Sequence, residues 1–208
     1  MHLTVWWRPS TWPADVRWAA VVMLVVAALG GAATDIGPWY ASLQQPPWKP
    51  PDAWFGPVWM ALYASTAWAG VRTWRRLPHD RARRVFLCSC LVNALLNIAW
   101  SVLDFTARRP DWALWEGLAL WCSAAWVTWL MSRVDRLAVL LMLPHLAWLA
   151  LAWALNWATV RLNPVIGARA DLRLPTAGAK ASGFLGNRLV PTCPCCHPGL
   201  CALTRRKP

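Results

Sequence analysis

The sequence predicts an all-α integral membrane protein, a bundle of five transmembrane helices. Three observations carry this prediction. Hydrophobic residues make up 58% of the 208 residues and charged residues only 14%, whereas about 25% is usual in soluble domains. The charges cluster between long uncharged runs. The chain also holds 19 Trp, against 4 Phe and 2 Tyr, and Trp suits membrane interfaces and flat apolar ligands.

Five apolar runs are each long enough to cross a hydrocarbon core of roughly 30 Å as a helix. In chain order they cover residues 18–34, 53–71, 85–103, 112–132 and 137–160. Only the fourth run contains an acid, Glu116, about one turn from its start. A soluble bundle is disfavoured because these runs lack a polar face.

The distribution of the net charge of +12 indicates membrane topology and not nucleic-acid binding, because ten of the thirteen basic residues before residue 161 lie on one side of the predicted bundle, although the tail adds eight more on the other side. Ten arginines precede the first run, fill the loop after the second, or follow the fourth. The positive-inside rule then places this side in the cytoplasm and the loop at residues 35–52 outside. We therefore predict a multi-pass protein of a cell membrane, with the lipid bilayer and no nucleic acid as partner.

The spans divide the chain into three parts. Residues 1–17 form an N-terminal interfacial segment, residues 18–163 the transmembrane domain, and residues 164–208 a disordered tail rich in Cys, Pro and Arg. The tail's Cys193-Pro194-Cys195-Cys196-His197 run could ligate zinc, but its spacing lacks two separated Cys pairs. We predict no metal site.

Polar residues inside spans are costly unless they face the bundle interior, so their spacing marks the inward faces. Three such stripes recur at helical spacing. They are Trp59, Tyr63, Thr66 and Gly70; Asn93, Asn97, Trp100, Ser101 and Asp104; and His145, Trp148, Ala152, Asn156, Thr159 and Asn163. The Asn and Thr side chains could simply join helices by hydrogen bonds. The large rings fit that alternative less well, and they indicate a pocket for a flat apolar ligand.

The loop between the first two spans is rich in proline, which gives a stiff, extended backbone. It carries Trp39, Tyr40, Trp48 and Trp54. Two interpretations stay open: a lid over the mouth of the bundle, or an interfacial aromatic belt.

The motifs in and after this loop resemble the TspO/MBR family of tryptophan-rich sensory proteins and translocator proteins, also called peripheral-type benzodiazepine receptors. The resemblance covers residues 18–163. It rests on Trp39-Tyr40-x-x-Leu43-x-x-Pro46-Pro47-Trp48-x-Pro50-Pro51, on Phe55-x-Pro57-Val58-Trp59-x-x-Leu62-Tyr63, on Leu96-Asn97-x-x-Trp100-Ser101, and on Pro144-x-Leu146-x-Trp148 with Leu155-Asn156.

The resemblance implies a homodimer of five-helix bundles that binds porphyrins such as protoporphyrin IX and haem under the first loop, without a required cofactor. It implies a sensor or receptor in tetrapyrrole-linked or stress responses. The expected ligand-binding residues are Trp39, Trp48, Trp59, Tyr63, Asn97, Trp100, His145, Trp148, Ala152 and Asn156. A light-dependent porphyrin-degrading enzyme is an alternative, with Trp59 and Trp157 as its catalytic pair, and a small porphyrin or sterol transporter is another.

The chain departs from the family pattern at several positions. His145 replaces a Tyr, Gln45 a basic residue, Asn93 a Gln, and Asp104 the first Phe of the third-helix motif. The predicted fifth helix has no Tyr near Arg161, which disfavours sterol recognition.

Overall fold

A computed structural model describes residues 13–164, which are helical with no strand in that range. The helices are α1 (Ala14–Ala33), α2 (Pro38–Ala41), α3 (Asp52–Arg76), α4 (Asp80–Ser101), α5 (Pro110–Ser132) and α6 (Arg136–Leu162). A π-helical turn, Val102–Thr106, continues α4. The all-α prediction is therefore confirmed.

The count of five membrane spans is not confirmed by helix length and apolarity. Three helical segments in the described range are long and apolar enough to cross a membrane: Ala14–Ala33, Asp80–Thr106 and Arg136–Leu162. The five runs predicted from sequence correspond to α1, α3, α4, α5 and α6, each of at least 20 residues, and α2 is a single extra turn in the loop.

This bundle exposes many large apolar side chains and buries several polar ones around a mainly apolar core. Large apolar side chains such as Trp18, Trp68 and Trp115 are exposed, whereas Asn97, Asn156 and other polar residues are buried. Soluble domains do not expose apolar side chains over whole helices. This pattern fits helices that turn apolar faces to lipid and polar residues to each other.

Ion pairs fix which helix ends lie together. Arg75, at the end of α3, pairs with Asp15 at the start of α1. Asp135, directly before α6, accepts from the Arg72 Nε at 2.9 Å and pairs with Arg76 at 2.9 Å. The start of α1, the end of α3 and the start of α6 therefore share one end of the bundle, the arginine-rich end.

The loop between α1 and α3 closes the other end. The Gln44 N–H donates to the Asn163 Oδ1 at 3.0 Å, and the Asn163 Nδ2 donates back to the Gln44 carbonyl at 2.9 Å. Thr106 Oγ1 donates to the Ala33 carbonyl at 2.8 Å. The end of α6 and the end of the π-helical turn thus meet the loop, opposite the arginine-rich end.

Helix α1 begins at Ala14, so the last four residues of the predicted N-terminal segment 1–17 are helical. Residues 1–12 of that segment lie outside the described residues. So does the predicted tail from residue 165 onward, with its cysteine cluster.

Candidate functional site, an aromatic cavity beneath the α1–α3 loop

A cavity lies between the α1–α3 loop and the ends of α4 and α6. Aromatic rings form much of its wall, and a few polar side chains complete it. The lining residues are Trp39, Tyr40, Leu43, Gln45, Lys49, Phe55, Trp100, Asp104, Phe105, Ala152, Leu155, Asn156 and Thr159. Such a combination of apolar rings and a few polar groups is typical of small-molecule sites.

Three of the rings form a connected wall. The ring centroids of Tyr40 and Phe105 are 5.6 Å apart, and those of Phe105 and Trp100 are 6.0 Å apart in an edge-on arrangement. These are distances at which aromatic pairs attract each other. The short helix α2 positions Tyr40, and the π-helical turn positions Phe105, so each of these two elements contributes a ring to the wall.

The helix α6 contributes the opposite wall through residues on one face. Ala152, Asn156 and Thr159 lie three and four residues apart, so their side chains share a side of the helix. Ala152 leaves room for a ligand at its level. Asn156 is 94% buried, and neither its Oδ1 nor its Nδ2 has a hydrogen-bond partner in the described part of the chain.

A second polar side chain of the cavity also has an unsatisfied atom. The Gln45 Nε2 is buried and has no acceptor among the described residues. Buried donors and acceptors without partners cost about 1–3 kcal/mol each. A ligand with complementary polar groups would recover that free energy.

Lys49 is the one cationic side chain among the described lining residues. Its Nζ lies 2.6 Å from the Asp52 carboxylate and 4.9 Å from the centroid of the Tyr40 ring. Burial alone would lower the pKa of Lys49, but the hydrogen bonds to Asp52 and Tyr40 outweigh it and raise the pKa above 10.5. Lys49 is therefore cationic at neutral pH and suited to an anionic ligand group.

A cluster of inward side chains lies next to the cavity, deeper in the bundle. We call it the inner cluster: Trp59, Tyr63, Asn97, His145 and Trp148. The Trp59 ring centroid is 5.3 Å from that of Tyr63, 6.1 Å from His145 and 6.4 Å from Trp148. The Tyr63 hydroxyl donates to the Asn97 Oδ1 at 2.7 Å.

Phe55 joins the two groups, because it lines the cavity and contacts the Trp148 ring edge-on at 5.5 Å. His145 is 98% buried, and neither ring nitrogen has a partner in the described region. Trp148 Nε1 is likewise unsatisfied there. The inner cluster is thus a group of packed aromatic side chains in which several buried hydrogen-bonding atoms have no partner.

The predicted ligand-binding residues divide between these two groups. Four of them line the cavity: Trp39, Trp100, Ala152 and Asn156. Five form the inner cluster. Trp48 is not among the lining residues and is 51% exposed.

The structure does not bring Trp59 and Trp157 together. Trp157 is 45% exposed, and the Arg161 guanidinium lies over its ring at 4.8 Å. One residue along an α-helix is a rotation of about 100°, which carries Trp157 off the face of Asn156. Trp148 occupies the position beside Trp59 instead.

Several lining residues were not among the predicted set: Tyr40, Leu43, Gln45, Lys49, Phe55, Asp104, Phe105, Leu155 and Thr159. Thr159 and Asp104 were on the polar stripes, so spacing gave a signal for them. The loop residues had no periodicity, and only the folded path of the loop reveals which of them face inward.

Comparison with known sequences confirms the resemblance. The sequence model of the TspO/MBR family matches residues 18–162. The "Translocator protein" of Homo sapiens is 38% identical over 138 residues, which cover 66% of this chain and 80% of that protein. "Protein CrtK" of Rhodobacter capsulatus is 30% identical over 147 residues, covering 70% and 92%. "Tryptophan-rich protein TspO" of Chlorobaculum tepidum is 32% identical over 130 residues, covering 61% and 80%. The chain is therefore a membrane protein that belongs to the TspO/MBR family.

Proposed function

We propose that the chain is a membrane receptor or sensor that binds a tetrapyrrole, such as protoporphyrin IX or haem, in the cavity beneath the α1–α3 loop. It would act in tetrapyrrole-linked or stress responses as a homodimer in a bacterial cell membrane. In this proposal all five long helices cross the bilayer, with the arginine-rich end in the cytoplasm.

The observation that carries the proposal is the wall of rings facing an unsatisfied amide. Tyr40, Trp100 and Phe105 offer apolar faces to a flat conjugated ligand, while Asn156 offers an unpaired donor and acceptor. Lys49 supplies a cation at the rim for a carboxylate. Tetrapyrroles with propionate side chains carry both a flat ring system and carboxylates, so they match both features.

The cavity is too small for a tetrapyrrole in this structure. Its volume is about 60 Å³, whereas small-molecule sites usually measure roughly 300–1,000 Å³. The loop must therefore move before a tetrapyrrole can enter. The contacts of Gln44 and Gln45 with the end of α6 are the obvious ones to break, because they tie the loop to the bundle.

Filling the cavity tests the proposal most directly. In Ala152→Phe a large ring replaces the small residue of the α6 wall, and we expect protoporphyrin affinity to fall by at least about tenfold because overpacking leaves no room for the ligand. Ala150→Phe is the matched control, since Ala150 lies on the same helix and is exposed. Quenching of Trp fluorescence in purified protein, titrated in the dark, measures both.

Equal protoporphyrin affinity in the parent and in Ala152→Phe would show that the ligand does not occupy this cavity. Equal losses in both variants would point to a general effect on the helix. Thermal unfolding of each variant separates a lost site from a lost fold.

A light-dependent porphyrin-degrading activity is a second candidate, favoured by one observation. Trp59 and Trp148 have their rings edge to face at 6.4 Å, and Trp148 contacts the cavity residue Phe55. A porphyrin in the cavity would lie near an electron-rich pair. The resemblance implied Trp59 with Trp157, and this candidate pairs Trp59 with Trp148 instead.

Illumination of the porphyrin-bound protein tests this candidate. We expect Trp148→Phe to slow porphyrin loss and Trp157→Phe to leave it unchanged, with absorbance of the bound porphyrin as the readout. Slower porphyrin loss in Trp157→Phe alone would instead support Trp59 and Trp157 as the reactive pair. Equal rates in both variants and the parent would show that neither Trp148 nor Trp157 takes part in the reaction.

A further inference from the structure

Asp104 is an acid inside the aromatic wall of the cavity. It lines the cavity together with Trp100 and Phe105, its neighbours on the same segment. It stands in a motif that resembles the TspO/MBR pattern, at a position where that pattern has Phe. The chain therefore has a carboxyl group where a ring would complete the wall.

The backbone around Asp104 is irregular in a way that favours a functional role. Residues Val102–Thr106 form a π-helical turn, and the Ala107 N–H donates to the Val102 carbonyl at 2.7 Å, five residues back. Single π-helical turns within α-helices occur frequently at functional sites. Here the turn brings both Asp104 and Phe105 to the cavity lining.

The Asp104 carboxyl group has no hydrogen bond and no ion pair with any residue of the described range. The basic side chains nearby are engaged elsewhere: Arg108 with Asp35 at 3.9 Å, Arg109 with Asp111 at 2.8 Å, and Lys49 with Asp52 at 2.6 Å. A carboxyl group among rings is costly without a partner. Its acceptor oxygens are thus available to a ligand.

The charges around the cavity limit which kind of hydrogen-bond donor a ligand can place beside Asp104. Lys49 lies over the Tyr40 ring and Arg108 over the Trp39 ring, at 4.9 and 5.7 Å from the centroids. Because both rings already carry a cation, a cationic ligand group would have to displace Lys49 or Arg108 to contact them. A neutral N–H donor requires no such displacement, and a ligand carboxylate can share Lys49 with Asp52.

These requirements distinguish two kinds of tetrapyrrole. A closed porphyrin turns its pyrrole N–H groups toward the centre of the macrocycle, where a side chain at its edge cannot reach them. An open-chain tetrapyrrole presents pyrrole and lactam N–H groups outward and also carries propionates. It is also flexible, so it requires less widening of a small cavity than a rigid disc does.

We propose that Asp104 is a specificity-determining residue that accepts hydrogen bonds from the N–H groups of an open-chain tetrapyrrole, so that the chain prefers such ligands to closed porphyrins. The inference rests on the proposed function, since it assigns a ligand class to the same cavity. Lys49 holds a propionate of the same ligand.

Biliverdin and protoporphyrin IX, titrated separately into the purified full chain in the dark, test the inference. We expect the parent to bind biliverdin about tenfold more tightly, which is at the upper end of what one net hydrogen bond contributes. Asp104→Asn and Asp104→Phe should lose about that factor for biliverdin and change protoporphyrin affinity by less than about twofold. The absorption maximum of bound biliverdin should also move in the variants, because its N–H partner is lost.

Asp80→Asn is the matched control, because Asp80 is an exposed carboxylate that pairs only weakly with Arg83, at 3.9 Å. It should behave as the parent does with both ligands. The preference of the parent is itself a test that needs no variant, so misfolding of an Asp104 variant would not rescue the inference.

The outcomes separate the two proposals. Equal or tighter binding of protoporphyrin by the parent, or equal losses for both ligands in the Asp104 variants, overturns the role of Asp104 and leaves the cavity as a tetrapyrrole site. Failure of both ligands to bind the parent overturns the proposed function and this inference together.

Discussion

Releasing the α1–α3 loop from α6 should speed ligand exchange without changing affinity. Asn163 holds the loop by two hydrogen bonds, accepting from the Gln44 N–H at 3.0 Å and donating to the Gln44 carbonyl at 2.9 Å. The cavity holds only about 60 Å³, so under the proposed function we expect a tetrapyrrole to enter only after the loop has moved and these bonds have broken. Asn163→Ala removes both.

The size of the effect follows from the exposure of the bonds. Both are solvent-exposed, so each contributes at the lower end of the usual range, about 0.5–1 kcal/mol. Together they stabilise the closed loop by about 1–2 kcal/mol, which corresponds to about 5–30-fold in the population of the open loop. Both the association and the dissociation rate constants of protoporphyrin should rise by that factor, and Kd should stay within about twofold.

Stopped-flow quenching of Trp fluorescence measures the two rate constants. Ser42→Ala is the control, because the Ser42 hydroxyl also makes a loop hydrogen bond, to the Trp39 carbonyl at 2.6 Å, but within the loop itself. Asn163→Asp keeps the acceptor and loses the donor, so it should show a smaller acceleration. Parent-like rates in Asn163→Ala would refute the idea that this contact gates entry.

Three further predictions concern stability, topology and the tail. Asp135→Asn should lower the free energy of unfolding by about 1–3 kcal/mol at pH 7, because Asp135 is buried and pairs with Arg72 and Arg76, the latter partly exposed. Burial raises the pKa of Asp135, but the Arg72 hydrogen bond, the Leu137 N–H and the charge of Arg76 outweigh it, so the pKa lies below 3.8. The stabilisation is thus present at neutral pH and is lost as the pH falls through that lowered pKa. Thermal unfolding measured as a function of pH should show the stabilities of parent and variant converging at low pH. Single-cysteine labelling of intact cells should find the loop before α3 and the loop after it on opposite faces, and labelling of both from one face would exclude an odd number of crossings between them. Truncation after Asn163 should leave protoporphyrin affinity within about twofold, measured by the same fluorescence quenching, because the lining residues in the described range 13–164 all precede it. A tenfold loss would show that the tail contributes to the site.

The long helices could be predicted from the uncharged runs, but their ends could not. The run 53–71 became Asp52–Arg76, and 137–160 became Arg136–Leu162. The helices continue into charged residues because Arg72, Arg75 and Arg76 find carboxylate partners at the end of the bundle. Hydropathy marks the part of a helix that suits hydrocarbon, whereas the end of the helix depends on partners supplied by other helices.

The irregular elements had no signal in the hydrophobic pattern. A single helical turn such as α2 is too short to show a period, and the π-helical turn at Val102–Thr106 differs from an α-helix by one residue of register. Both elements position rings of the cavity. The wall that Tyr40 and Phe105 build was therefore beyond a periodicity argument, although the stripe ending at Asp104 pointed to its neighbourhood.

The inward face of α6 shows both the strength and the limit of the pattern. His145, Trp148, Ala152, Asn156 and Thr159 follow spacings of three and four, and the structure places each of them at the inner cluster or the cavity. Trp157 falls outside that spacing, and the structure exposes it. The large apolar ring of a tryptophan favours an apolar neighbour, and lipid can serve as that neighbour as well as a ligand can. Its position in the helical period decides which of the two it meets. On this reasoning we expect Trp148 to matter more than Trp157 in any photochemical reaction, because Trp148 lies on the polar stripe and against Trp59.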